Sequence, residues 1–272
     1  MTSNHFTEFV IELFCRVDDA MKGVVRHPQS KLHPSEIVAL GLLFALRGIG
    51  ERAFYRWADR ELRSLFPHLP ERTRLFRLLS VHRDWTRRFL AKPTTFGVAD
   101  SFGIELLHPW RYGRSDKQIG KKGYSNHRWI VGAKFGFVLN QWGLVVDWDT
   151  NTANVHDTSF LPLITQFEQK EEGVLQSVDM IVLADSNFHS QTDPANLKIC
   201  ARGEWNQRML IETVLSMFTG VCKLKRLAHR VWTYLNARLA FAMAAFNICA
   251  SWNGLAPDED GFIRLSIAQF SI

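Results

Sequence analysis

Residues 129–150 read WIVGAKFGFVLNQWGLVVDWDT, and the fold class turns on them. Trp129 to Leu139 is rich in strand formers. Leu144 to Thr150 alternates apolar and polar residues. Asn140 to Gly143, between them, reads as a tight turn, so the whole is a β-hairpin. Upstream, Thr94 to Ala99 (TTFGVA) reads as a third short strand that stops on Asp100. The glycine-bearing polar stretch from Ser101 to Asn126 reads as a loop. Downstream, His156 to Phe167 has helical spacing, and Asp179 to Ala184 (DMIVLA) is a short apolar strand ending on Asp185. Leu197 to Ala201 is a possible further strand. Trp205 to Val221 and Leu227 to Trp252 read as apolar helices. Three neighbouring strands followed by β–α alternation predict a mixed sheet flanked by helices, an α/β fold.

Residues 6–90 carry helical periodicity without a clear strand. Phe6, Phe9, Val10, Leu13, Phe14 and Val17 recur at helical spacing, and Pro34-Ser35-Glu36 opens a second helix. Ala53 to Leu65 and Arg72 to Leu90 continue the pattern with Arg-rich faces, which suit either phosphate contact or plain solvation. The chain of 272 residues is 46% hydrophobic, enough for a substantial core. No apolar run approaches the roughly 18 residues that a membrane helix needs. The first residues, MTSNHFTEFVIELF, lack the basic leader and cleavage site of a signal peptide. Cys15, Cys200, Cys222 and Cys249 have no metal-type spacing and read as buried thiols in a reducing cytosol. The net charge of +6 is uneven: +6 over 1–92, −3 over 93–200, +5 over 201–240 and −2 thereafter. An acidic middle between basic flanks suits a protein that holds a polyanion beside a cation site.

Three acids carry the candidate chemistry. Val98-Ala99-Asp100-Ser101 and Leu183-Ala184-Asp185-Ser186 each end an apolar strand on a carboxylate. If the strands are parallel neighbours, the two carboxylates lie side by side and repel unless a cation neutralises them. Alone, each aspartate could simply end a strand or cap a turn. Glu212 falls on the helix 205–221 in the polar stripe Arg208, Glu212, Ser216, Thr219. So apolar a helix is expected to be largely buried, and a buried Glu212 must be paired or metal-bound. The alternative is an exposed ion pair with Arg208 one turn away. Two Asp and one Glu form an all-oxygen donor set that favours Mg²⁺ or Mn²⁺, and two such ions suit phosphodiester displacement. No nucleotide-binding loop or nucleophile elbow is present, so no nucleotide cofactor is expected.

The order and spacing of these motifs resemble the DDE transposases of bacterial insertion sequences. Val98-Ala99-Asp100-Ser101, Leu183-Ala184-Asp185 and Arg208-Met209-Leu210-Ile211-Glu212 match the three acidic motifs. Gly132-Ala133-Lys134-Phe135 and Asn154-Val155-His156-Asp157 match the stretch between the first two. Pro34 to Pro67 and Glu71 to Arg74 match the helical N-terminal part. Departures are Trp205 where many relatives carry Tyr, Thr219 where some carry Lys, and Ser186-Asn187-Phe188-His189 after the second Asp.

The resemblance implies an RNase H-like catalytic domain over 93–253, preceded by an all-helical, DNA-binding region over 1–92 and followed by a tail over 254–272. It implies that Asp100, Asp185 and Glu212 hold two Mg²⁺ (or Mn²⁺) ions and that Arg208 contacts phosphate or orients Glu212. The implied partners are double-stranded DNA (element ends and target) and a second copy of the chain, in a cytoplasmic, nucleoid-associated setting with no membrane contact. Arg111, Tyr112, Arg114, Lys117, Lys121, Lys122 and Tyr124 suit either a DNA-contacting loop or a plain solvated one, and Lys223, Lys225, Arg226 and Arg230 form a second basic cluster beyond Glu212 that could guide DNA. Lys134 either reaches a phosphate or snorkels from its strand. His156 and Asp157 either support the site or cap a helix. A stand-alone nuclease of the same fold and a catalytically inactive DNA-binding regulator are the alternatives.

Overall fold

The computed structural model describes residues 3–125, 127–168, 180–200, 208–256, 263 and 265–270. Four helices come first: α1 (Ser3–Ala20), α2 (Pro34–Arg47), α3 (Glu51–Glu61) and α4 (Arg72–Val81), followed by a 3₁₀ segment, Arg83–Phe89. Residues 72–90 thus form two pieces rather than one helix. α2 starts where Pro34 predicts. The His33 N–H donates to Glu36 Oε2 at 2.6 Å, the Ser35 N–H donates to His33 Nδ1 at 3.3 Å, and Gly48 at φ +64 ends the helix.

The sheet contains β1 (Phe96–Leu107), β2 (Lys121–Ser125), β3 (Arg128–Asn140), β4 (Val145–Thr152), β5 (Ile181–Ala184) and β6 (Leu197–Ile199). Its order is β2-β3-β1-β5-β6, with β4 also paired to β3. The β1–β3, β2–β3 and β3–β4 pairs are antiparallel, whereas β1–β5 and β5–β6 are parallel. This is a mixed sheet flanked by helices, and the expected hairpin is present as β3–β4.

Three readings need correction. β1 does not stop at Asp100 but runs on to Leu107, because Phe102, Ile104 and Leu106 continue the apolar alternation and are buried. The supposed loop to Asn126 also contains β2, whose Gly123 lies so close to β4's end that a Cβ there would sit 1.8 Å from the Ala153 carbonyl oxygen. The expected helix 156–167 is broken into a 3₁₀ turn, Asp157–Phe160, and the four-residue α5 (Pro162–Thr165), with Pro162 at the break.

Helices α6 (Arg208–Gly220) and α7 (Trp232–Ala250) complete the fold. α7 is buried almost all round, as its composition requires, and packs against α2 and the 3₁₀ segment before the sheet. One continuous apolar core joins Phe9, Leu43 and Phe54 of the first helices, Phe102, Phe135 and Phe137 of the sheet, and Phe218 and Phe246 of α6 and α7. A second, smaller core on the opposite sheet face holds Ala99, Val138, Phe160, Val182, Ala184 and Phe188. Cys222 and Cys249 are buried as expected, but Cys15 is exposed and Cys200 half-buried. Among the described residues no helix is long and apolar enough to cross a membrane.

Candidate active site

The two cores determine which way Asp100 and Asp185 face. Ala99, Val182 and Ala184 belong to the smaller core. Strand alternation therefore directs Asp100, and Asp185 one residue past β5, to the opposite face. That is the face α6 covers: Phe137, the cross-strand partner of Asp100, lies 5.5 Å from the Phe218 ring. The parallel register pairs Phe96 with Ile181, Gly97 with Val182 and Val98 with Leu183. Carried two residues further, it sets Asp100 level with Asp185 on neighbouring chains, which in a sheet lie about 4.8 Å apart. The conditional expectation that the strands are parallel neighbours is met.

Asp100 is half-buried in mid-strand, where its carboxylate accepts from the Ser101 N–H at 2.7 Å. Asp185 is exposed and caps the turn Ser186–Phe188. It accepts from the Asn187 N–H at 3.0 Å and from Asn187 Nδ2 at 2.9 Å. Capping and cation binding are compatible, since a carboxylate has about four acceptor positions.

Glu212 is reached less directly. Leu210 abuts Gly143 in the β3–β4 turn, next to the Asn140–Gly97 pair, and Phe218 abuts Phe102. α6 therefore runs in the direction of β1, and Glu212 lies toward the Asp100 end of the helix–sheet contact. Its side chain is exposed, as are Thr213 and Ser216. The helix buries Ile211, Val214, Met217 and Phe218 but leaves its polar stripe open, so the argument that burial forces a partner on Glu212 does not hold. Arg208 begins α6; its side chain lies outside the described residues. Among the described residues no group of three His, Cys, Asp or Glu is gathered closely enough to hold a metal ion. The register, carried past its last printed pair, thus sets two of the three acids at one level, and the third lies on the helix covering their face.

Behind Asp100, on the other face, Ser101 donates to Asp157, which also pairs with Lys134 Nζ at 2.8 Å. Lys134 is mostly buried, so its amine is committed to Asp157 rather than to an open surface. His156, not Asp157, caps the 3₁₀ turn. Asp157 therefore ties β1 to β3 beside the candidate site.

No family model matches this chain, and no curated protein matches it.

The basic residues are better organised than the sequence suggests. Residues 225–227 lie alongside β1: the Glu105 N–H donates to the Lys225 carbonyl at 3.1 Å, and the Leu227 N–H to the Glu105 carbonyl at 2.9 Å. Glu105 also faces Arg226 at 3.5 Å and Arg128 at 3.3 Å. This backbone pairing brings the segment 226–231 against the segment 106–119, over a hundred residues away, to form one cleft of about 1110 Å³. Lys117, Arg226 and Arg230 line it, together with Arg111 and Arg114. Lys121 and Lys122 are exposed on β2 outside it, with Lys122 over the Trp129 ring at 4.9 Å. Lys223 and Lys225 are exposed, and the Lys223 stem lies against Gly48. Trp110, in the same cleft and 82% exposed, is the residue that sequence reasoning missed; its signal was an aromatic side chain beside Arg111 in a polar stretch.

Proposed function

We propose that the chain is a metal-dependent DNA transposase whose catalytic centre has an RNase H-like arrangement. The observation that carries this reading is the parallel β1–β5 register, which sets Asp100 level with Asp185 on the face covered by the helix bearing Glu212. Two adjacent carboxylates on one face are a donor set that a hard dication stabilises. Asp100, Asp185 and Glu212 would hold Mg²⁺ or Mn²⁺, two ions in the full site. Bound there, the cations would supply Lewis acidity to an attacking and a leaving oxygen. The chain's own groups have separate tasks. Asp100 is anchored in the central strand and fixes the site's position. Asp185 and Glu212, both exposed, leave room for a duplex to approach. Arg208, one turn before Glu212, would meet a phosphate, and the basic residues beyond α6 would hold the flanking backbone. Water would cut the element end and release a 3′-hydroxyl, which would then attack the target phosphodiester and displace the target strand's 3′-oxygen. Two ends must meet for this reaction, so the working form would be a dimer.

A catalytically inactive DNA-binding regulator is the second reading. The exposed Glu212 and the engagement of Asp185 with Asn187 favour it.

The test is cleavage and joining of DNA carrying the repeats that flank the gene, with Mg²⁺, with chelator, and with Asp100→Asn and Asp185→Asn. The expected outcome is end-specific, Mg²⁺-dependent products, reduced at least about a hundredfold in each variant. End binding without cutting would overturn catalysis in favour of the regulator. Cutting that ignores the ends would replace the transposase with a nuclease.

A further inference from the structure

The cleft between segments 106–119 and 226–231 has three properties that belong together. Its charge is one-sided: Arg111, Arg114, Lys117, Arg226 and Arg230 line it, and no acidic residue does among the described residues. Glu105, beneath Arg226, offsets part of one of these charges and leaves the others. Four of the five cations are arginines, whose planar forks match phosphate oxygens two at a time. At about 1110 Å³ the cleft exceeds the roughly 300–1,000 Å³ typical of small-molecule pockets, so a stretch of polymer fits its size better than a single metabolite. It also presents Trp110, 82% exposed, a ring that neither core covers.

An uncovered indole beside a row of arginines is the pairing that single-stranded nucleic acid needs: a surface for a base and cations for the backbone. A duplex offers its phosphates to the same arginines but keeps its bases stacked, leaving Trp110 without a role. Leu106, in the cleft wall, is six residues along β1 from Asp100, roughly 20 Å at the usual strand rise. The cleft is therefore separate from the carboxylates.

We propose that this cleft binds an unpaired stretch of nucleic acid, with a base stacked on Trp110 and the backbone phosphates held by Arg226, Arg230, Arg111 and Arg114. The choice of a nucleic acid as the polyanion rests on the transposase reading; the preference for an unpaired strand rests on the cleft alone.

The experiment measures binding of the full chain to a fluorescent 16-nucleotide oligo(dT) and to a 16-base-pair duplex, by anisotropy, in chelator, over a salt series. Chelator removes any contribution from metal at the carboxylates. Trp110→Ala is expected to weaken oligo(dT) binding about tenfold and leave the duplex unchanged, in keeping with the loss of one stacked base. Arg226→Gln with Arg230→Gln is expected to flatten the slope of log affinity against log salt by about two. Because Arg226 contacts Glu105, Arg111→Gln with Arg114→Gln, two exposed residues outside the sheet and the cores, serves as the second variant, with a similar loss of slope expected. Unchanged oligo(dT) affinity in Trp110→Ala, or equal losses for both probes, would overturn the proposal while end cleavage persists. Failure of end cleavage with the oligo(dT) effects intact would overturn the transposase reading and leave the cleft.

Discussion

Arg238 is 2% exposed, and its two terminal nitrogens are met by carbonyls rather than by a carboxylate, while its Nε is buried without a partner. Its guanidinium donates to the carbonyls of Phe44 and of Ala45, the latter at 3.3 Å, and sits 4.0 Å over the Phe44 ring. It thus closes the C-terminal end of α2 from within α7, where a helix leaves its last carbonyls without internal donors. Burial lowers its pKa to about 10, still high enough to keep it charged at neutral pH. The neighbouring His229 shifts in the same direction: burial first, and then the Arg238 charge, push its pKa down from 6.5 to about 4. His229 is therefore neutral in the folded chain near pH 5, whereas an unfolded chain would bind a proton. Between pH 6.5 and 4 the unfolded state holds more protons, so stability rises with pH through this window and is lost as pH falls. The full effect is at most about 3 kcal/mol. Urea midpoints measured at pH 7 and pH 4.5 should show this loss, and His229→Gln should flatten it. An equal slope in the variant would assign the loss to other groups; His82, also lowered by burial, is the next to test.

Among the elements, β4 is bonded along one side to β3, and at its first residue a helix side chain serves the other side. The Asn247 side chain of α7 accepts from the Val145 N–H and donates to the Val145 carbonyl, both at 2.8 Å, and also donates to the Phe89 carbonyl at 3.0 Å. It acts as a strand partner delivered by a helix. Asn247→Leu, close in volume, should lower stability by about 1–3 kcal/mol, because the buried Val145 N–H would lose its partner, while the Val145 carbonyl keeps the Ala91 N–H at 2.8 Å. Chemical denaturation checks this; a change under 1 kcal/mol would mean the site rehydrates.

The sequence made the hairpin, β5 and α6 legible because their patterns are local: alternation, a short apolar run, a helical apolar face. β1 was only half legible, since Asp100 and Gly103 interrupt its alternation and read as the end of a strand. The strand survives because β3 supplies hydrogen bonds from Gly97 to Leu107. Asp100 and Asp185 could be picked out as residues, but their common level could not, because register is set by pairing across 85 positions. The cleft was illegible for the same reason: each basic segment offers candidate DNA contacts by itself, but only the Glu105–Arg226 bridge brings the two together.

At the scale of the whole molecule, the sequence divides between residues 92 and 93, but the main core does not stop there. α2 packs along α7, and Arg238 and Asn247 reach from α7 to residues 44, 45 and 89. Residues 93–272 expressed alone should therefore fail to fold, since they would expose the side of α7 that α2 covers. The complete chain should melt in one cooperative transition by calorimetry. A folded 93–272 fragment, or two separate transitions, would show that the helices and the sheet are independent units.

The register that sets the two aspartates level also gives them unequal stiffness. Asp100 belongs to a twelve-residue strand bonded to β3 along most of its length and to β5 near its start, the part of a sheet that opens last. Asp185 stands at the entrance to a three-residue turn, held by Asn187 and facing solvent. A cation shared between them would therefore draw the second toward the first: one carboxylate is the anvil, and the other is the part that moves.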